Sequence, residues 1–169
     1  MEALEALFNR RSIRHYTPEQ VTDDQIELLL KAAMYAPSAV NKQPWEFIVF
    51  RSHETMRQII EVHPNASMLL HASAAILVCW DDHRQHDIGY GPVDCAAATQ
   101  NILLAAHSTG LGAVWVGIYP RQQRMDAVHR IFNLPVHIHG FSIISFGFPA
   151  EKKNKPNRFD GQKIHTEKW

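Results

Sequence analysis

The segment "SAAILVCW", residues 73–80, runs for eight residues without a charge, a proline or a glycine. A continuous apolar run of that length suits a strand covered on both faces. The uncharged stretch around it, "LLHASAAILVCW", contains His71. It is too short for the ~20 residues of a membrane-spanning helix. A strand buried on both sides needs covering layers, so the rest of the chain is expected to supply helices above and below one sheet.

The flanking segments fit that expectation. "WEFIVF" (45–50) alternates and is rich in strand formers, and "LGAVWVGIY" (111–119) and "HGFSIISFGFP" (139–149) read as two more strands. Between them lie helical patterns. Leu4, Leu7 and Phe8 fall at helical spacing within residues 2–10. Thr22 and Gln25 form a capping box, with Asp23 and Asp24 at the positive helix start. Ile26, Leu29, Leu30 and Ala33 mark its buried stripe, and Pro37 closes it. Ser52 caps a helix from His53 to about Val62. The longest helix is expected from Pro92 to Thr109, with Gly110 just past its end. Its middle, "CAAATQNILLAA", is apolar nearly all round, which points to packing at a subunit interface. A last helix, "RQQRMDAVHRIF", carries Met125, Val128, Ile131 and Phe132. The class is α/β or α+β, with helices on both faces of one sheet.

The 169 residues are enough for one domain with a real core, expected over 1–150, followed by a polar tail over 151–169. Seventeen basic and seventeen acidic residues balance, so no global charge argues for nucleic acid or a membrane surface. Cys79 and Cys95 both lie in apolar runs and read as buried free thiols. The N-terminus begins "MEALEALFNRR" and lacks the long apolar core of a signal peptide. A cytoplasmic protein is the simplest expectation.

Chemistry-bearing residues are sparse. "RRSIRHY" (10–16) follows the first short helix. In an extended run Arg10, Ser12 and Arg14 point one way and Arg11 the other. Such a face could clamp an anion, or it could be the solvated end of a helix, and charge alone leaves both open. "APSAVNKQPW" (36–45) offers the amides of Asn41 and Gln43, suited to a heterocycle edge, or it is an ordinary turn before a strand. His83 with His86, and His137 with His139, lack the context of a metal motif, so no metal is expected. No nucleotide-binding glycine fingerprint, serine elbow or cysteine nucleophile motif occurs, and no acid–base pair stands out as a protein catalyst. Chemistry borrowed from a cofactor is the remaining route.

Four stretches in order, "RRSIRHY", "APSAVNKQPWEFIV", "GLGAVWVGIYP" and "FGFPAEKKNKPNRF", resemble the nitroreductase family of flavin enzymes and span nearly the whole chain. The resemblance implies an α+β fold with a central mixed sheet flanked by helices. It implies a homodimer with two FMN molecules at the interface and a C-terminal arm crossing to the partner. Arg10, Ser12 and Arg14, with Arg11 less directly, look like FMN phosphate and ribityl ligands. Pro37, Ser38 and Ala39 look like the segment from the other subunit, with Asn41 and Gln43 at the polar ring edge. Val116, Gly117 and Ile118 look like the backbone near the ring, and Arg158 with Lys153 like late phosphate-binding residues. The family's activity would then be NAD(P)H-dependent reduction of an electron-poor acceptor, such as a nitroaromatic or quinone, by ping-pong kinetics. The same fold also serves specialised flavin enzymes, and a non-catalytic flavin-binding or redox-sensing dimer is a further alternative. The covering insertion of larger members is replaced by the short "DDHRQHDIGYG", where Arg84, His86 and Tyr90 could meet a substrate or be solvated loop residues.

Overall fold

The computed structural model describes residues 1–169. Its centre is the strand β2 (Ala74–Asp81), buried at every residue. Side chains alternate along a strand, and the two sets enter different cores. Ala74, Ile76, Val78 and Trp80 join one apolar cluster. Ala75, Leu77 and Cys79 join the other. The apolar run of the sequence is therefore two interleaved faces, each with its own cover.

Strand β1 (Trp45–Phe50) pairs with β2, β2 with β4 (Ile138–Gly147), and β4 with β3 (Gly112–Gly117), giving the order β1-β2-β4-β3. All three pairings are antiparallel. The mixed sheet implied by the resemblance is thus mostly antiparallel. Parallel pairing is confined to a bridge between Ser12 and Ala113, which lays the N-terminal segment along the outer edge of β3. A bulge between Val78 and Cys79 of β2 leaves Phe141 unmatched on β4.

Helices α2 (Asp23–Met34) and α4 (Tyr90–Ser108) cover one face, through Leu29, Ala33, Ala98 and Ile102 against Ile76 and Ile144. Helices α3 (His53–Val62) and α5 (Gln122–Phe132) cover the other, through Met56, Ile59 and Val128 against Leu77 and Ile143. The Thr22–Gln25 capping box forms with both bonds, and Ser52 caps α3 through the Thr55 N–H. The α4 boundary shifts from the expected 92–109. Gly89 takes φ +96°, which starts the helix at Tyr90 and leaves Pro92 in the first turn. Gly110, at φ +84°, follows its end as expected.

Helix α1 (Ala3–Asn9) forms, but its apolar side finds no cover: Leu4 is 64% exposed, Leu7 49% and Phe8 57%. On α4, Val93 is also exposed. The stretch 152–169 is exposed throughout and adds one 3-10 turn at Gly161–Lys163, with Phe159, Ile164 and Trp169 open to solvent. Both cysteines are free and buried, and burial pushes the Cys79 thiol up to about 12. No helix is long and apolar enough to cross a membrane.

Candidate functional site

The outer edge of β3 carries open backbone. Ala113 turns its carbonyl away from β4, to the Ile13 N–H at 3.0 Å. Antiparallel ladders alternate, so Trp115 and Gly117 turn their backbone groups to the same outer edge. Beyond the Ile13 contact that edge becomes the wall of a cleft of about 500 Å³, lined by Arg14, Asn65, Ser67, Trp115, Val116 and Gly117 among others.

The Gly117 carbonyl is not left free. It accepts from His63 Nε2 at 3.0 Å and from Arg124 Nη1 at 2.9 Å. His63 is 3% exposed, and its Nδ1 is buried without a partner. Burial holds its pKa below the ordinary histidine value despite the bond to Gly117, and Arg124 and Arg121 add to the lowering. A neutral ring with its proton on Nε2 suits that arrangement. Two donors on one carbonyl fix the peptide where β3 ends. Of the residues expected near a ring, Val116 and Gly117 line the cleft. Ile118 does not: it is 1% exposed, and its N–H donates to the Phe141 carbonyl at 3.2 Å.

The basic cluster divides between two clefts. Arg14 faces the Gly117 cleft, while Arg11 and Ile13 face a separate cleft of about 410 Å³ with His107 and Lys153. Arg11 is tied into the fold. Its Nε donates to the Asn154 carbonyl at 3.0 Å, its Nη2 to the Phe8 carbonyl at 2.9 Å, and its Nη1 to the Arg10 carbonyl. That side chain staples α1 to the start of the tail. Arg10 is half-buried, and burial, then Arg158, then Arg11 hold its pKa below the ordinary arginine value. Lys153 pairs with Glu151 at 3.4 Å, and Glu151 also accepts the Arg14 N–H at 2.6 Å. Arg10, Arg14 and Arg158 pair with no carboxylate. Arg10 and Arg158, like charges near each other without a counter-charge, suit an anion.

Loop 37–44 is built differently. Val40, Asn41 and Gln43 all adopt left-handed φ, at 50°, 55° and 49°. Besides its backbone bonds, two side chains hold it. Asp94, buried in α4, accepts the Ala39 N–H at 3.0 Å, and Ser38 Oγ accepts the Gln43 N–H at 2.9 Å. The second Asp94 oxygen is buried without a partner. Pro37 and Asn41 are exposed, and Ser38 and Ala39 half-buried. Gln43 opens onto a third cleft with Trp45, Phe47 and Arg84. This loop leads into β1, whereas Gly117 ends β3, and the two strands are opposite edges of the sheet. Three strand spacings, about 14 Å, separate those edges. Within one chain Ser12 pairs with Ala113 of β3, Arg14 lines the Gly117 cleft and Arg10 neighbours Arg158, while Pro37–Gln43 stay at the opposite edge of the sheet.

Arg84 pairs with Glu46 at 3.4 Å, and His86 and Tyr90 pack with ring centroids 5.7 Å apart. All three are exposed on the 82–90 turn. His63, Arg124 and Asp94 carry roles that sequence reasoning missed. The first two meet Gly117 across 54 and 7 positions, and no local pattern marks them. Asp94 did leave a signal, as an acid beside the apolar run "CAAATQNILLAA".

Comparison with known proteins adds to this geometry. The chain matches the Nitroreductase family model over residues 7–63 and 61–148. A Methanothermobacter thermautotrophicus protein provisionally named NADH dehydrogenase/NAD(P)H nitroreductase is 47% identical over 169 residues, covering 100% of this chain and 88% of that protein. A crystal structure from Parabacteroides distasonis with the same provisional name superposes at TM-score 0.95, with 38% identity over 99% of this chain and 98% of that one. A Desulfovibrio desulfuricans protein, provisionally a nitroreductase and crystallised in complex with FMN, superposes at TM-score 0.86, with 29% identity over 100% and 98% of the two chains.

Proposed function

Because this chain belongs to the nitroreductase family, we propose that it is an FMN-dependent oxidoreductase that uses NAD(P)H to reduce an electron-poor small molecule. The observation that carries this reading is that Arg10, Arg14 and Arg158 have no carboxylate partner, with Arg14 on the cleft at the open edge of β3 and Arg10 close enough to Arg158 for the two charges to repel. A phosphate monoester is the anion such guanidinium groups fit best. FMN, when bound, would supply the hydride chemistry that the protein's own side chains lack.

The residues divide the remaining work. Arg10 and Arg158 would hold the phosphate, with Ser12 and Arg14 along the ribityl chain and ring edge. Lys153 would close the rim, and Arg11 keeps the segment in place rather than binding. The Gly117 N–H would face the ring, and the His63 and Arg124 bonds to its carbonyl keep that edge from moving. Donors aimed at the ring edge favour the anionic reduced state without reorganising.

The second half of the site would come from another copy of the chain, whose loop 37–43 presents Pro37, Ser38, Ala39, Asn41 and Gln43. Two features support a homodimer. Leu4, Leu7 and Phe8 are uncovered on α1, and Phe159, Ile164 and Trp169 are uncovered on the 151–169 arm, which would lie across the partner. Donor and acceptor would exchange in a ping-pong sequence, with the 82–90 turn, bearing Arg84, His86 and Tyr90, at the substrate entrance. The cytoplasm is the proposed compartment, since both thiols are free.

The visible spectrum tests the reading. Purified protein supplied with FMN should show a bound flavin band that bleaches anaerobically on adding NADH or NADPH. Protein that stays colourless after FMN is added and the excess removed would overturn it.

A further inference from the structure

Sequence spacing pairs His83 with His86 and His137 with His139, and neither pair forms a metal motif. The fold pairs them otherwise. Asp81 ends β2, and His137 immediately precedes β4, the neighbouring strand. The Asp82 N–H donates to the His137 carbonyl at 2.9 Å and ties the two strand ends together. His83 follows in the turn, and its N–H donates to Asp81 Oδ1 at 2.8 Å. One ligand atom from each of Asp81, His83 and His137 then lies within 4.8 Å of the other two. The two imidazoles stack with centroids 4.5 Å apart and planes 10° from parallel.

We propose that Asp81, His83 and His137 bind a divalent transition-metal ion of the zinc class, with water completing its shell. The donor set fits: two imidazoles and a carboxylate leave one tetrahedral position open. Bonds of about 2.0–2.1 Å place tetrahedral ligands roughly 3.3 Å apart, so the cluster must close by on the order of 1 Å. His83 supplies that movement and must also tilt out of its stack on His137, so that both in-plane lone pairs meet at one ion; its side chain is 73% exposed and sits on a turn. Asp81 and His137 stay fixed by the strand ends.

The surroundings favour a cation. No lysine or arginine pairs with Asp81; its ionic neighbour is His83, at 4.0 Å. The next carboxylate, Asp82, is already engaged by the Trp80 indole N–H at 2.9 Å, by Gln85 at 2.8 Å and by His139. Asp82 therefore adds negative charge nearby without competing for the ion. The cluster shares no residue with the cleft at Gly117, so the ion's role there is to pin the 82–90 turn to the sheet.

The test uses FMN-loaded, tag-free protein stripped with a chelator and titrated with Zn2+ by calorimetry at about pH 7.5, where free imidazole is mostly neutral. One ion per chain is expected. His83→Ala and His137→Ala should each weaken binding at least tenfold, while His53→Ala, on α3, should not. Visible absorbance reports flavin content and foldedness in every variant. Equal affinity in the His83 and His137 variants, or no binding at micromolar Zn2+, would overturn the proposal.

Discussion

The outer edge of β3 and loop 37–44 lie at opposite edges of one sheet, and they are held by opposite means. Gly117 keeps ordinary backbone angles, and its carbonyl is gripped by two side chains from α5 and the end of α3. The loop has three left-handed residues that are not glycine, restrained by one carboxylate and one hydroxyl. The edge is shaped by packing that the core needs anyway. The loop stores strain, at roughly 1–2 kcal/mol for Val40 and for Gln43 and less for Asn41, and releases it if a contact goes. Strain of that kind belongs where a surface must be presented rather than buried.

Variants on the two sides should therefore behave differently. Arg10→Ala, on the β3 side, should weaken FMN binding by about 1.5–3 kcal/mol with little change in thermal stability, the scale of a charge-assisted hydrogen bond. Fluorescence titration checks it, and unchanged affinity would remove Arg10 from the phosphate site. On the loop side, Asp94→Ala frees the Ala39 N–H and also removes a buried charge, two effects that partly cancel in stability. Flavin affinity should fall by about 1–2 kcal/mol, and Asp94→Asn, which keeps an acceptor, should recover most of it. Equal loss in both variants would mean that the charge matters rather than the loop bond.

A smaller effect is expected at Val40. A β-branched residue at φ 50° is unfavourable, so Val40→Gly should stabilise the fold by up to about 1 kcal/mol in denaturant melts. Destabilisation would show that the loop is not strained. The smallest effect concerns pH. The folded-state pKa of His63 lies below its unfolded value, so the unfolded chain binds more protons in the window between them. Its stability contribution is complete above about pH 6.5 and is lost as pH falls toward the folded value. His63→Gln, which can still donate to Gly117, should flatten that acid-side loss in a series of melting curves. His107, lowered by burial and then by Arg10 and Arg11, would leave a residual slope.

Much of this was written in local pattern. The capping box at Thr22, the Ser52 cap, the glycine after α4 and the two-faced burial of 74–80 all depend on neighbours in sequence. Ser12 does pair as a strand residue, and Arg11 and Arg14 on either side of it line different clefts, whereas Arg10 caps α1 and neighbours Arg158. What stayed hidden is non-local. Strand order comes from packing of segments far apart in the chain, so the antiparallel sheet and the separation of the loop from Gly117 could not be read. The same applies to His63 at Gly117 and Asp94 at Ala39, where the partners lie 54 and 55 positions apart. The early start of α4 turned on a left-handed Gly89, inside a turn-rich stretch with several possible breaks.

The central claim is that each flavin site is shared between two copies of the chain. Co-expression of an Arg10→Ala/Arg14→Ala chain with an Ala39→Trp chain tests it, because each homodimer then carries two damaged sites. If the site is shared, the mixed dimer gathers both lesions in one site and leaves the other intact. One tightly bound FMN per mixed dimer, with half the wild-type turnover per dimer, is the predicted result. If each site belongs to a single chain, both sites of the mixed dimer stay damaged. No recovery of tight FMN binding would contradict the account.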